Sequence, residues 1–271
     1  MGISNKKNAV VTGAASGLGR ALAQELWNRN YSLALVDIDY QGLISLRNGL
    51  SENADQQVLL YKVDLANAEE IKICCEDILK QFIDIDILFN NAGISISIPF
   101  DDLDIKDYKK LIDINFWGTV ITTKYLLSGL KKSSRARIAN VISDFALMGF
   151  PGKTTYGASK SAIMGFSYAL RTELYESNIK VSVIIPPAMN TNLVKKGISA
   201  NEQKRQNEML FLQKNAYPLG LAASKIINKV QQGKFRIVIG KMMWMIDTVS
   251  RLFPSMLHYL ISTRRESKDF A

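Results

Sequence analysis

Short runs of β-branched and apolar residues alternate along the chain with longer stretches in which apolar positions recur every three to four residues. The short runs predict seven strands, at residues 8–11, 32–36, 57–63, 85–89, 137–142, 180–185 and 235–239. The longer stretches predict helices. In the first of these, Leu18, Ala21, Leu22 and Leu26 form one apolar stripe that suits packing against a sheet.

Strands separated by helix-length segments require crossover connections, which place the strands parallel and cover both faces of the sheet with helices. The pattern therefore predicts a doubly wound α/β fold of the Rossmann type with a seven-stranded parallel sheet. Because no Pro-rich or Gly/Ser-rich linker interrupts the 271 residues, we expect one domain over residues 1–271. Within this domain, residues 242–261 form an apolar C-terminal segment that follows the predicted sheet.

A glycine-rich turn, TGAASGLG at residues 12–19, follows the first predicted strand and opens the first helix. Glycines at such a turn let backbone amides approach a pyrophosphate, and the helix N-terminus supplies oriented N–H donors. The candidate dinucleotide-binding residues here are Gly13, Ser16, Gly17, Leu18 and Gly19.

Asp37 ends the second strand, about twenty residues beyond the turn, where a carboxylate accepts hydrogen bonds from ribose hydroxyls. The same carboxylate would repel a 2′-phosphate. The neighbouring positions are Ser16 and Ile38, so neither carries a basic side chain that would bind such a phosphate. The sequence therefore favours NAD as cofactor, with NADP as the alternative.

Further motifs follow in a fixed order: NNAG at residues 90–93, Asn115, Ser143, and YGASK at residues 156–160. With the glycine turn they resemble the short-chain dehydrogenase/reductase family over residues 8–191. The resemblance implies an oxidoreductase with Ser143, Tyr156 and Lys160 as catalytic residues and Asn115 in a proton relay. It also implies that the cofactor is bound by Tyr156, Lys160 and residues near other strand ends, namely Asp64, Leu65, Asn91, Ala92, Gly93, Pro186 and Thr191.

Hydride transfer to or from a carbinol carbon requires a proton to join or leave the oxygen. A free phenol titrates near ~10, and lowering that pKa by about three units requires roughly 4 kcal/mol of phenolate stabilisation. Lys160 lies four residues beyond Tyr156, one helical turn away, so its ammonium is the expected source, and oxidised nicotinamide adds further positive charge. In this interpretation Tyr156 is the general acid/base and Ser143 hydrogen-bonds the substrate oxygen.

Apolar residues follow Ser143 and the sixth strand, namely Phe145, Leu147, Met148, Phe150, Met189 and Leu193. At the carboxyl edge of the sheet they would border the reacting carbon and favour a lipophilic alcohol or ketone. Such residues are also common core filler.

The formal charge of +9 is spread along the chain without an arginine-rich block, so we expect no nucleic-acid partner. The adjacent Cys74 and Cys75 suit neither a disulfide framework nor a metal site, and the N-terminus lacks a signal-peptide pattern, so we expect a cytoplasmic protein with no bound metal. His258 lies far along the chain from the motifs and is expected to be structural or on the surface.

Asp247, Arg251 and Pro254 interrupt residues 242–261, which makes a poor transmembrane span. With Lys241, Arg264 and Arg265 around it, the segment suits an interfacial element at a membrane surface, an oligomer contact or a lid over the substrate. We expect a homodimer or homotetramer. A cofactor-sensing or scaffolding protein that kept the fold is the rival function from another class.

Overall fold

The computed structural model describes residues 6–214 and 216–263. Its strands are β1 (Lys7–Thr12), β2 (Tyr31–Asp37), β3 (Val58–Lys62), β4 (Ile87–Asn90), β5 (Ile96–Ser97), β6 (Arg137–Val141), β7 (Lys180–Ile185), β8 (Ile198–Ser199) and β9 (Arg236–Val238). Seven of them form one parallel sheet in the order β3-β2-β1-β4-β6-β7-β9. The seven predicted strands and the parallel sheet are confirmed.

The α-helices are α1 (Gly17–Asn28), α2 (Tyr40–Asn48), α3 (Ala68–Gln81), α4 (Ile105–Ile112), α5 (Gly118–Lys132), α6 (Thr154–Glu173), α7 (Asn192–Lys195), α8 (Glu202–Lys214), α9 (Leu219–Gln231), α10 (Lys241–Leu252) and α11 (Pro254–Thr263). They cover the sheet on both sides. One face packs residues such as Leu22, Leu26, Leu33 and Ile226, and the other packs Ile78, Leu88, Leu126 and Leu130.

The strand order reverses between β1 and β4, which are neighbours although β2 and β3 separate them in sequence. At such a switch point the loops that follow the two strands turn to opposite sides and leave a crevice at the carboxyl edge of the sheet. The glycine turn follows β1 and the NNAG segment follows β4. The predicted cofactor motifs therefore border this crevice.

Two short strands that the sequence pattern did not predict form a second, parallel ladder. Ile96 of β5 pairs with Ile198 of β8, and Ser97 pairs with Ser199. The ladder ties the chain that follows β7 to the loop that follows β4. It thereby holds α8 beside the carboxyl edge of the sheet.

The apolar C-terminal segment folds into α10 and α11. Asp247 interrupts the apolar pattern because it turns inward, where it is buried and pairs with Arg236 and Arg251. Several large apolar side chains remain exposed, among them Trp244, Met245, Leu252, Phe253 and Tyr259. Within the described residues, none of the helices combines the length and apolar character that crossing a bilayer requires. Arg264 and Arg265 lie outside the described residues.

Candidate active site

The glycine turn is built for close approach of a ligand to the backbone. Gly13 and Gly17 have φ values of +66° and +55°, a region that L side chains rarely adopt. Gly19 lies so near the turn that an added Cβ would collide with the Gly13 carbonyl oxygen. Leu18 is buried beneath the turn. The turn thus forms a cradle at the N-terminus of α1 that fits a pyrophosphate.

The NNAG segment supports this cradle from the next strand. The Asn91 side chain donates to the carbonyls of Thr12 and Gly13, at 3.0 and 3.2 Å. In return, the Thr12 hydroxyl accepts from the backbone N–H groups of Asn91 and Ala92. These bonds cross the switch point and fix the two loops relative to each other.

Asp37 lies at the carboxyl end of β2, partly exposed. Its carboxylate accepts the backbone N–H groups of Ala15 and Asp39, each at 2.9 Å, which aims it along the glycine turn. The neighbouring Ile38 is exposed. Lys196 approaches this edge but pairs with Asp39, at 2.9 Å.

Asp64 and Leu65 follow β3 at the same edge. The Asp64 carboxylate accepts the Ala66 backbone N–H at 2.9 Å, which fixes its loop. Leu65 is buried and packs against Gly118, where an added Cβ would lie 3.0 Å from the Leu65 Cβ.

The loop that follows β7 closes over the glycine turn. Thr191 caps the short helix α7 and lies close to Gly17. A Cβ added at Gly17 would lie 3.0 Å from the Thr191 side chain. Pro186 and Thr191 both line the cavity beside Ser143. Ser16 is the N-cap of α1. Within the described residues its hydroxyl accepts no hydrogen bond from the backbone N–H groups of the first turn of α1.

Asn115 lies in a π-helical turn, Asp113–Trp117, between α4 and α5. The turn directs its fully buried side chain toward the site, where the amide accepts from the Ile94 N–H and donates to the Ile94 carbonyl and Ser159. A Cβ added at Gly93 would lie 3.0 Å from the Asn115 Oδ1 and 3.4 Å from the Lys160 Nζ. Asn115 and Lys160 therefore flank Gly93.

Ser143, Tyr156 and Lys160 come together as the sequence predicts, and all three are buried. Ser143 follows β6, whereas Tyr156 and Lys160 share one face of α6. The Lys160 ammonium lies 5.8 Å from the Tyr156 ring centroid and donates to the Val141 carbonyl at 3.0 Å.

The pKa of Tyr156 differs from the sequence-based expectation. Burial raises it above the ordinary value, and the hydrogen bond with Ser143 lowers it only in part, while the charges of Asp144 and Glu208 raise it further. Burial also lowers the pKa of Lys160 to about 8, which weakens its hold on the proton. The sequence assigns the lowering to Lys160 together with oxidised nicotinamide, and Lys160 by itself does not produce it here, because desolvation opposes both charged forms.

A cavity of about 170 Å³ opens beside Ser143 and Tyr156. Phe145, Phe150, Met189 and Leu193 line it as predicted, whereas Leu147 and Met148 line a neighbouring cavity together with the exposed His258. The sequence interpretation missed Asp144, Lys153, Glu208, Phe211 and Leu212, which also line the cavity. Asp144 and Lys153 could have been found from the sequence, because they are close in the chain to Ser143 and Tyr156. Glu208, Phe211 and Leu212 belong to α8, and no local sequence pattern indicates that they reach the cavity.

Comparison with known proteins agrees with this geometry. The protein family described as short chain dehydrogenase matches residues 7–202, which is well over half of the chain. The chain belongs to the short-chain dehydrogenase/reductase family. It is therefore an oxidoreductase that transfers a hydride between a nicotinamide cofactor and a carbonyl or carbinol carbon.

Individual relatives cover most of this dehydrogenase/reductase. It is 32% identical to the "Putative oxidoreductase SadH" of Mycobacterium tuberculosis, over 94% of each chain. It is 26% identical to the 3-ketodihydrosphingosine reductase of Bos taurus, over 90% of this chain and 74% of the relative.

Solved structures share the fold. A short chain dehydrogenase/reductase from Burkholderia phymatum in complex with NAD superimposes with a TM-score of 0.80 at 21% identity, over 94% of this chain and 95% of that chain. A short chain dehydrogenase from Burkholderia cenocepacia in complex with NADP superimposes with a TM-score of 0.76 at 21% identity, over 96% of this chain and 98% of that chain.

Proposed function

We propose that this oxidoreductase acts on a lipophilic alcohol or ketone with NAD as its preferred cofactor, through Ser143, Tyr156, Lys160 and Asn115. The observation that carries the proposal is the contact of Ser143 with Tyr156 at the wall of a largely apolar cavity, with Lys160 one helical turn away.

Each side chain has a role in moving the proton that accompanies the hydride. In the reduction direction the Tyr156 hydroxyl gives its proton to the substrate oxygen as the carbonyl carbon gains the hydride, and in oxidation it takes that proton back. Ser143 hydrogen-bonds the same oxygen and stabilises its developing charge. Lys160 sits beside the phenol ring and would also bind the ribose.

Proton supply would run through Asn115. Its side chain bridges the Ile94 backbone and Ser159 next to Lys160, so it holds the turn through which a water chain would reach the ammonium. Because burial raises the pKa of Tyr156, a nearby positive charge is needed to favour the phenolate. Oxidised nicotinamide, when bound, supplies positive charge and accepts the hydride.

The preference for NAD rests on Asp37. Two backbone N–H groups hold its carboxylate at the ribose side of the crevice, and the exposed Ile38 offers no cation for a 2′-phosphate. The positions proposed to hold the cofactor are Gly13, Ser16, Gly17, Leu18, Gly19, Asp37, Asp64, Leu65, Asn91, Ala92, Gly93, Tyr156, Lys160, Pro186 and Thr191.

The lipophilic substrate rests on the cavity wall. Phe145, Phe150, Met189, Leu193, Phe211 and Leu212 contribute apolar surface close to the reactive hydroxyls. The similarity to a reductase named for a ketodihydrosphingosine supports the same class of substrate.

We further propose a single domain over residues 1–271, because β9 pairs with β7 and so joins the C-terminal part to the same sheet. The exposed apolar face of α10 and α11 suits a homo-oligomer contact, with a peripheral membrane contact or a lid as alternatives. Two buried free thiols, Cys74 and Cys75, fit a reducing, cytoplasmic setting.

The test is oxidation of NADH, with NADPH in parallel, over short, aliphatic, aromatic and sterol-like ketones. We expect turnover with NADH on bulky apolar ketones, and its loss in Tyr156→Phe. Tyr175→Phe, which removes a hydroxyl from an exposed tyrosine, is the matched control. Tight cofactor binding without turnover on any ketone would support the sensor function instead, and a preference for NADPH would contradict the role of Asp37. Steeply salt-dependent retention on DNA or RNA would contradict the expected absence of a nucleic-acid partner.

A further inference from the structure

A carboxylate stands directly beside the reactive serine. The Ser143 hydroxyl donates to the Asp144 Oδ1 at 2.8 Å, and the Phe145 backbone N–H donates to the same oxygen at 3.1 Å. An ionised carboxylate only accepts hydrogen bonds, so the Ser143 hydroxyl donates to Asp144 here and has to rotate away from it to donate to Tyr156 or to a substrate oxygen. Asp144 also lines the cavity that holds Ser143 and Tyr156.

The other charges of the cavity do not neutralise Asp144. Lys153 is buried, and its ammonium donates to Ser95, Ser97 and Glu208. An ammonium has three protons, so these partners use all of them. Among the described residues that line the cavity, two carboxylates therefore face one cation, and Asp144 is the one without an ion pair.

We infer that Asp144 makes the cavity selective for substrates that carry a protonated amine close to the reacting carbon, attached to an apolar chain. This inference rests on the proposed function, whose substrate class it narrows. An ammonium beside Asp144 would balance the remaining negative charge and leave the apolar wall to the chain. A carboxylate at the same place would be repelled.

The ionised form of Asp144 is costly without a partner cation. Burial raises the pKa of its carboxyl above the ordinary value, and Ser143, the Phe145 amide and the charge of Lys153 offset that effect only in part. A bound ammonium would favour the ionised form. It would also shield Tyr156 from the Asp144 charge that raises its pKa.

The first test measures binding without turnover. Octylamine, octanol and octanoate are titrated calorimetrically at pH 7 into the full chain, into Asp144→Asn and into Asp55→Asn. Asp55 is exposed, so its variant removes one negative charge outside the cavity. We expect octylamine to bind the wild type at least tenfold more tightly than the other two probes, although the net charge of +9 attracts octanoate.

In Asp144→Asn the preference for octylamine should fall below threefold, whereas Asp55→Asn should retain it. Asp144→Ser, which keeps an acceptor for the Phe145 amide, replaces the first variant if circular dichroism shows that Asp144→Asn is unfolded. Equal binding of the three probes to the wild type, or a preference that survives both substitutions, would overturn the inference.

The second test is turnover of a matched pair, a medium-chain 2-amino-3-ketone and the same ketone with methyl in place of the amine. We expect kcat/KM to favour the amino ketone at least tenfold in the wild type and by less than threefold in Asp144→Asn. Reduction of the neutral ketone alone would overturn the inference while the proposed function stands. Selective octylamine binding without any turnover would contradict the proposed function while the inference about Asp144 stands.

Discussion

The ammonium of Lys153 lies 2.6 Å from the Oε1 of Glu208, and both side chains are buried. Lys153 precedes α6, which carries Tyr156 and Lys160, whereas Glu208 belongs to α8. Ser97 of β5 contacts both, since it accepts from Lys153 and donates to the Glu208 Oε2 at 2.8 Å. The pair therefore fastens α8, with Phe211 and Leu212, over the cavity.

Removal of one partner of this pair leaves an uncompensated buried charge. We expect Glu208→Leu to lower the free energy of unfolding by about 3 to 5 kcal/mol, and the double variant Lys153→Met/Glu208→Leu to recover most of that loss. Urea denaturation measures both. Glu202→Gln, which breaks the exposed pair with Arg205, should cost less than about 1 kcal/mol. A double variant as unstable as the single one would show that the charge balance is unimportant.

Two glycines predict opposite effects of the same substitution. Gly19→Ala places a Cβ against the Gly13 carbonyl, so we expect loss of NADH binding and destabilisation by about 1 to 3 kcal/mol. Gly165 lies inside α6, and beyond its chain neighbours and the backbone of its own helix no atom lies within 4 Å of an added Cβ, so Gly165→Ala should stabilise the protein by about 0.5 to 1 kcal/mol. Fluorescence titration with NADH and thermal unfolding report the two effects. Normal NADH affinity in Gly19→Ala would argue against the cradle.

The cofactor preference should respond to the charge at the end of β2. We expect Asp37→Ser/Ile38→Arg to raise the ratio of kcat/KM for NADPH over NADH at least tenfold, because a repelling carboxylate is replaced by a guanidinium. Asp39→Asn removes a charge two residues away and keeps an N-cap for α2, so it should change the ratio far less. An unchanged ratio in the double variant would contradict the position assigned to the ribose.

Lys160 predicts a pH dependence of stability. Its pKa is about 8 in the folded protein and about 10.4 in the unfolded chain, so the unfolded state binds the proton more tightly between these values. The resulting penalty is fully present below pH 8 and is relieved as the pH rises. Relative to Lys160→Met, the wild type should gain about 2 kcal/mol of unfolding free energy from pH 7.5 to pH 9.5.

Urea denaturation at the two pH values measures this gain. Lys153 is present in both proteins, so its own titration cancels in the comparison. Parallel pH profiles for wild type and Lys160→Met would mean that Lys160 is hydrated and titrates near its ordinary pKa.

The sequence predicted the strands of the seven-stranded sheet because each of them is a short apolar run between helix-length segments, which is a local pattern. It missed β5 and β8, whose pairing joins loops that are distant in the chain. It placed Ser143 and Tyr156 near each other only through the family resemblance, since Ser143 follows β6 whereas Tyr156 lies on α6. It expected Lys160 to lower the pKa of Tyr156, whereas burial raises that pKa, because the counting of charged neighbours omits desolvation. It assigned Leu147 and Met148 to the substrate wall, whereas the turn after Ser143 directs them to the neighbouring cavity.

The sequence by itself determined the doubly wound fold, the glycine cradle, the carboxylate at Asp37 and the one-turn spacing of Tyr156 and Lys160. Each of these follows from residues that are close together in the chain, because strand periodicity, glycine positions and helical spacing are local patterns. Only the tertiary structure decided that Glu208 forms an ion pair with Lys153, that α8 covers the cavity and that Asp144 lines the cavity without an ion pair. These relationships join residues as far as 111 positions apart, as in the bond from Ser97 to Glu208. Their energies depend on burial, which packing of the whole chain sets and no local pattern records.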